Sequence, residues 1–159
     1  MKQIIMIIFF FLIFSGAMSQ NIYNNFVTPV PVDSIKGGKE YGWNMDTVNM
    51  YSKFRESIKY IVYEGTEVRS ITDGEIIISG YNHGFGNYIN IKVNDSIEII
   101  YLHLSRIDVV EKQIISQGDI IGISGSSGLS TGDLSLMLRV NSIPANPRDY
   151  FNLPSTKIN

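Results

Sequence analysis

Two histidines, His83 and His103, are the chain's only imidazoles, and it has no cysteine. Imidazole changes charge near neutral pH and serves as a general base or a metal ligand. A catalytic zinc ion needs three protein ligands from His, Asp, Glu or Cys, plus an open position for water. No thiolate site and no three-histidine site can be assembled here. His103 lies in Tyr101-Leu102-His103-Leu104, and His83 in the turn Asn82-His83-Gly84. A lone His beside Tyr on a strand reads first as a hydrogen-bonded structural group. It becomes a general base only with a partner and a substrate oxygen to act on.

The elements that position these groups read as strands. Tyr88-Ile89-Asn90-Ile91-Lys92-Val93 alternates apolar and polar residues, as does Leu134 to Val140. Ile58 to Tyr63 is β-branched and aromatic. Val68 to Ile71 runs into Asp73-Gly74, a hairpin-type turn, and Glu75 to Ser79 returns. Ile97 to Leu104 follows the Asn94-Asp95-Ser96 turn, and Gly125 to Gly132 is a Gly/Ser loop. No stretch carries a sustained helical period, although Val109 to Ile115 has room for one turn. Residues 20–50 are rich in turn signals, including Thr28-Pro29-Val30-Pro31 and Lys36-Gly37-Gly38-Lys39. They read as an irregular N-terminal segment lying over an all-β sandwich or barrel-like domain. Within it, Tyr41 and Trp43 read either as a cover for the sheet or as a partner surface.

The 159 residues suffice for one domain, and 44% hydrophobic content suffices for a core. Lys2, the apolar run Ile4 to Phe14 and the small residues Ala17 and Ser19 form the pattern of a secretory signal peptide. Cleavage is expected after Ser19. The protein is then exported, to a periplasm or the cell exterior, with no transmembrane span left after cleavage. The other reading of the run is a retained anchor, for which it is short. Losing Lys2 takes the formal charge from −2 to −3. That balance argues against nucleic acid as a partner, because phosphate binding needs a basic surface.

An ordered series of short motifs remains: Tyr41-Gly42-Trp43, Glu64-Gly65-Thr66-Glu67-Val68, Thr72-Asp73-Gly74-Glu75-Ile76, Gly84-Phe85-Gly86-Asn87-Tyr88-Ile89, Tyr101-Leu102-His103-Leu104, Gln117-Gly118-Asp119-Ile120-Ile121-Gly122, and Gly125 through Ser130-Thr131-Gly132. Single pieces also occur in lipoyl-like carrier domains. The ordered set resembles the lysostaphin or LytM-type zinc endopeptidases (metallopeptidase family twenty-three, duplicated hybrid motif), over about residues 28–151. The resemblance implies an all-β, LytM-type antiparallel sheet and barrel-sandwich hybrid domain over residues 51–152, with a tail at 153–159. It also implies peptidoglycan as substrate or partner, and zinc as the family's cofactor.

The resemblance further implies which residues stand at the family's site. Counting back from Gly65-Thr66 places Arg55 and Lys59 at the two ligand positions of the His-x-Gly-x-Asp motif, with Ser57 at its Gly. In the His-Leu-His motif, one register puts Asp133 at the catalytic His and Ser135 at the zinc-binding His, keeping Leu134, Leu136 and Leu138 on the core face. The other register puts Leu134 and Leu136 there. His103 matches the family's remaining catalytic His. The zinc ligands are thus replaced, with two cations among the replacements, and no bound metal is expected. A cation beside Zn²⁺ is repulsive, and Arg does not deprotonate. A Lys59 ammonium near the zinc position, paired with Asp133, is the specific expectation. Arg55, Lys59 and Asp133 read otherwise as solvated rim charges.

These readings imply a non-catalytic envelope protein, either a regulator of cell-wall hydrolysis bound to a hydrolase or a peptidoglycan-binding module. The alternatives are an active metallo-endopeptidase with an atypical site, and a structural subunit of an envelope assembly.

Overall fold

The computed structural model describes residues 27–46, 49–130 and 132–157. The signal peptide expected over residues 1–19 lies outside them. Among the described residues no helix is long and apolar enough to cross a membrane.

Twelve strands carry the fold. β1 (Gly37–Lys39), β2 (Gly42–Asp46), β3 (Tyr51–Arg55) and β4 (Ser57–Ile61) come first. β5 (Glu67–Arg69), β6 (Gly74–Asn82), β7 (Gly86–Lys92) and β8 (Ile97–Ile107) follow. β9 (Ile114–Ile115), β10 (Ile120–Ser124), β11 (Asp133–Val140) and β12 (Ile143–Ala145) complete the set. The ten-stranded main sheet runs β1-β4-β11-β8-β7-β6-β9, with β10 bridging β5 and β8 and β12 added to β11. β2 and β3 form a separate antiparallel hairpin.

Alternation decides which face each strand buries. Ile58 and Tyr60 of β4, Leu134, Leu136 and Leu138 of β11, and Ile99 and Tyr101 of β8 all enter one core. Burying each such aliphatic chain is worth about 1.5–3 kcal/mol. The Tyr101 hydroxyl accepts the Ile71 N–H at 2.8 Å, and burial pushes its phenol far above the usual range. It therefore serves as structural glue and not as an acid near neutral pH.

Within the described residues 27–46, the segment read as irregular carries β1 and β2. β1 pairs with β4, placing Lys39 opposite Lys59. The boundary expected at residue 50 falls inside the β2–β3 hairpin. A clasp holds this segment to the C-terminal residues. Arg148 donates from Nε and Nη2 to the Glu40 carboxylate at 2.7 and 2.8 Å, and from Nη1 to Leu153 O at 2.8 Å. Thr156 Oγ1 donates to the same carboxylate at 2.7 Å. Burial pushes Glu40 up, but the hydrogen bonds from Arg148 and Thr156 and the guanidinium charge outweigh it and hold the carboxyl below its usual range.

The two aromatics of the segment part company. Tyr41 packs against the core, whereas Trp43 is 74% exposed and meets only the edge of Phe54 among the ring contacts described. Trp43 does not cover the sheet. The turn allowed for Val109 to Ile115 is not helical either, because it closes on β9, which pairs with β6.

Candidate functional site

The site face is the side of β4, β11 and β8 turned away from the core. Register fixes its membership: Ser135 lies opposite Lys59 on one side and Leu102 on the other. Leu134 and Leu136 point into the core, so Asp133 and Ser135 share the site face with Lys59. Lys59 Nζ and Asp133 Oδ2 form an ion pair. The carboxylate is 1% exposed and the lysine side chain 24%. Oδ2 meets the ammonium by proximity, without the alignment of a hydrogen bond. Oδ1 has no hydrogen-bond partner among the described residues. These are not solvated rim charges: an ionised carboxylate removed from water is tolerated only beside a counter-charge.

No groove separates β4 from β11, because they are neighbouring rungs of one sheet. Nor do Arg55 and Lys59 share a strand. The chain bends at Glu56, and Arg55 closes the β2–β3 hairpin opposite Gly42.

His103 occupies a corner. β8 pairs with β11 through Leu102 and with β10 from Leu104 onward. Tyr101 and Leu104 are both buried in the core, so two residues separate successive inward side chains. The pairing with β7 is irregular at the same place, and His103 has a φ of 68°. A bulge of this kind re-aims a side chain. It leaves Leu102 and His103 together on the site side. His103 N–H donates to Phe85 O at 2.9 Å, and its ring Nδ1 lies 3.1 Å from Ser127 O. A carbonyl oxygen can only accept, so that contact assigns the proton to Nδ1 and leaves Nε2 as the acceptor of the neutral ring. His83 sits exposed in its turn, apart from this cluster.

Burial lowers the His103 pKa below its usual value. The Ser127 carbonyl and the Asp133 charge oppose that shift, and the Lys59 charge reinforces it. In the unfolded chain the imidazole takes up a proton below about pH 6.5, while the folded ring is still neutral. The unfolded state therefore binds more protons there, and stability falls as pH drops from about 6.5 to the lower folded value. Urea midpoints at two pH values on either side of this window should differ less for His103→Asn than for the unaltered chain. An unchanged difference would show that the ring does not sense pH in this way.

The Gly/Ser loop is seated on β7 by glycines. Gly86 and Gly128 have φ of 68° and 69°, and a Cβ on either would run into the other loop's backbone. Ser127 Oγ accepts the Asn87 N–H at 2.9 Å and donates to Leu104 O at 2.6 Å. Gly86→Ala is therefore expected to cost about 1–3 kcal/mol and to pull Ser127 O away from His103. Denaturation together with the His103 ring signal in NMR reads both effects.

Beside the charged pair lies an apolar floor of Ile100, Leu102 and Met137, flanked by Phe85 and Tyr88. Those two rings meet edge to face, with centroids 5.7 Å apart. The alternation of β8 and β11 carried the signal for this floor, which site-by-site matching passed over.

The family model described as peptidase family M23 matches residues 53–147. The chain belongs to peptidase family M23. The DD-carboxypeptidase/endopeptidase Mpg of Neisseria meningitidis serogroup B is 34% identical over 108 residues, covering 67% of this chain and 25% of that protein. The glycyl-glycine endopeptidase ALE-1 of Staphylococcus capitis is 36% identical over 105 residues, covering 65% of this chain and 25% of that protein. The M23 chain thus spans a quarter of the length of these curated relatives. The catalytic domain of lysostaphin from Staphylococcus simulans matches with a TM-score of 0.63 at 30% identity, covering 74% of this chain and 92% of that domain.

M23 is a zinc metallopeptidase family. The side chains on this M23 domain's site face do not fit a zinc ion. Of the residues matched to the family's site, Arg55, Lys59, Asp133, Ser135 and His103, only His103 and Asp133 are of ligand type, and Asp133 already neutralises an ammonium. Among the described residues, no three of His, Cys, Asp and Glu come together to hold a metal.

Proposed function

We infer that this M23 domain is an exported, non-catalytic peptidoglycan-binding protein of the cell envelope, which takes peptide segments of the wall on its site face without cleaving them. The observation that carries this reading is the Lys59–Asp133 ion pair, standing where the family resemblance puts a zinc ligand and the catalytic His. The apolar floor beside it, with Phe85 and Tyr88, gives a peptide something to lie on. His103 keeps an acceptor Nε2 but has no activated water to work with, and on this reading its role is to hold the Gly/Ser loop. The names of its relatives, a carboxypeptidase/endopeptidase and a glycyl-glycine endopeptidase, support peptides as the class of ligand.

A second reading makes the protein a regulator docked on a wall hydrolase. It is favoured by the exposure of Trp43, Met45, Met50, Tyr51 and Phe54, all on the β2–β3 hairpin and its turn. Apolar side chains gathered this way mark interaction surfaces.

The deciding experiment purifies the exported chain, measures its zinc content, and incubates it with cross-linked muropeptides and with intact sacculi. The expected result is co-sedimentation with sacculi, no released fragments and no stoichiometric zinc. Stoichiometric zinc with cleavage would sink the non-catalytic reading. Absence from the sacculus pellet, with capture of a hydrolase instead, would favour the regulator.

A further inference from the structure

A second site lies outside the sheet face, where the β2–β3 hairpin leans beside β1. Lys39, Asn44, Met45, Asp46, Tyr51, Lys53 and Arg55 enclose a cavity of about 180 Å³. That is about the liquid volume of six waters, room for one small terminal residue. Three cations face one carboxylate there. Asp46 is itself engaged, accepting from Asn49 N–H at 3.0 Å and from Asn49 Nδ2 at 3.2 Å. The Asn44 amide also points away from the opening, donating to Glu40 O at 2.7 Å and Gly42 O at 2.9 Å. With three cations to one carboxylate, the lining carries a net positive charge. Lys59, opposite Lys39 on the neighbouring strand, is paired with Asp133 and does not line the cavity.

Arg55 supplies the directional signal. Its Nε is buried and has no hydrogen-bond partner among the described residues. A buried guanidinium N–H calls for an acceptor, and such orphans in folded proteins mark a missing water, ion or ligand. The hairpin register leaves space beside the arginine. Arg55 stands opposite Gly42, which has no side chain to cover it, and a Cβ built there would meet nothing. Nε and one terminal nitrogen of arginine form a planar fork that matches the two oxygens of a carboxylate. Lys39 and Lys53 are both exposed and can close on such a group from the rim.

We propose that the cavity lined by Lys39, Lys53 and Arg55 is an anion site that takes the free C-terminal carboxylate of a short peptide. The choice of a peptide carboxylate among small oxyanions rests on the peptide-binding reading above. The cavity itself does not depend on that reading. The fork of Arg55 fixes the carboxylate plane, and the two lysines supply charge.

The chain has a single tryptophan, Trp43, adjacent on β2 to the cavity residue Asn44. Its fluorescence and titration calorimetry can both follow binding to the exported chain. N-acetyl-D-alanyl-D-alanine is the probe, with its C-terminal amide and inorganic phosphate as the other arms. Saturable binding of the acid is expected, with the amide about tenfold weaker or worse, as befits the loss of a charge-assisted contact. Arg55→Gln and Lys53→Gln should each weaken the acid by a similar factor. Lys53 is exposed, so its variant keeps the test valid if Arg55→Gln fails to fold. Equal affinity for acid and amide, or an acid affinity untouched by Lys53→Gln, overturns the proposal. Binding of phosphate without the acid overturns the carboxylate assignment. Sacculus co-sedimentation on the same samples separates the two claims. Sacculi bound without the acid means the site is wrong and the wall-binding reading stands. The acid bound without sacculi means the reverse.

Discussion

Lys59→Met should cost the domain about 3–5 kcal/mol, because it strands a carboxylate that is 1% exposed with no counter-charge. That is a fall of roughly 6–20 °C in Tm for a chain of this size. The reverse truncation is expected to be milder. Asp133→Asn leaves the Lys59 ammonium, which is 24% exposed and can swing toward water, so the cost should be nearer 1–3 kcal/mol, that of a disturbed buried polar group. The double variant Lys59→Met with Asp133→Leu should recover most of the loss, since a well-packed apolar pair often equals or exceeds a buried ion pair. Urea denaturation of the four proteins gives the coupling energy directly. Equal costs for the two single variants, or additive costs in the double, would mean that the pair is solvated and not a buried substitute for a metal centre.

A designed return to the family's ligand set should bind one zinc per chain. The variant carries Arg55→His, Lys59→Asp, Asp133→His and Ser135→His together. Lys59, Asp133 and Ser135 already share one face by register, so three of the four substitutions need no backbone shift. Arg55 is the demanding one, because it sits beyond the bend at Glu56. Zinc content after dialysis against buffer, with circular dichroism to confirm folding, reads the outcome. A folded variant without zinc would show that the bend holds residue 55 outside ligand range. In that case the loss of the metal is built into the backbone as well as the side chains.

How far the sequence could be read depended on what kind of force set each feature. Leu134, Leu136 and Leu138 announced their common face because burial has a period of two on a strand, and the same alternation placed Asp133 and Ser135 on the other side. The order of the turn motifs carried the family. β1 was illegible because Gly37-Gly38-Lys39 has no strand propensity; it is a strand through pairing with β4. The corner at His103 was hidden for a similar reason. A non-glycine residue at positive φ leaves no mark in residue type, and the change of partner from β11 to β10 is a long-range event. The bend at Glu56 is likewise silent, and so Arg55 falls on a hairpin at the rim of the sheet that carries Lys59. Ser127 as the partner of His103 lies 24 residues away in the chain and had no signal beyond the glycines around it.

The Glu40–Arg148 clasp joins groups 108 residues apart. A contact of that span is slow to find, since loop closure must precede its reward. β1 has the same problem, because its neighbour β4 is itself held on the other edge by β11, from the last third of the chain. The first strands to be synthesised are therefore the last to be fixed. Until Arg148 emerges, the hairpin bearing Trp43 and Phe54 is a tethered arm with its aromatic side chains in water. A chaperone that holds this arm would be holding the slowest step of folding.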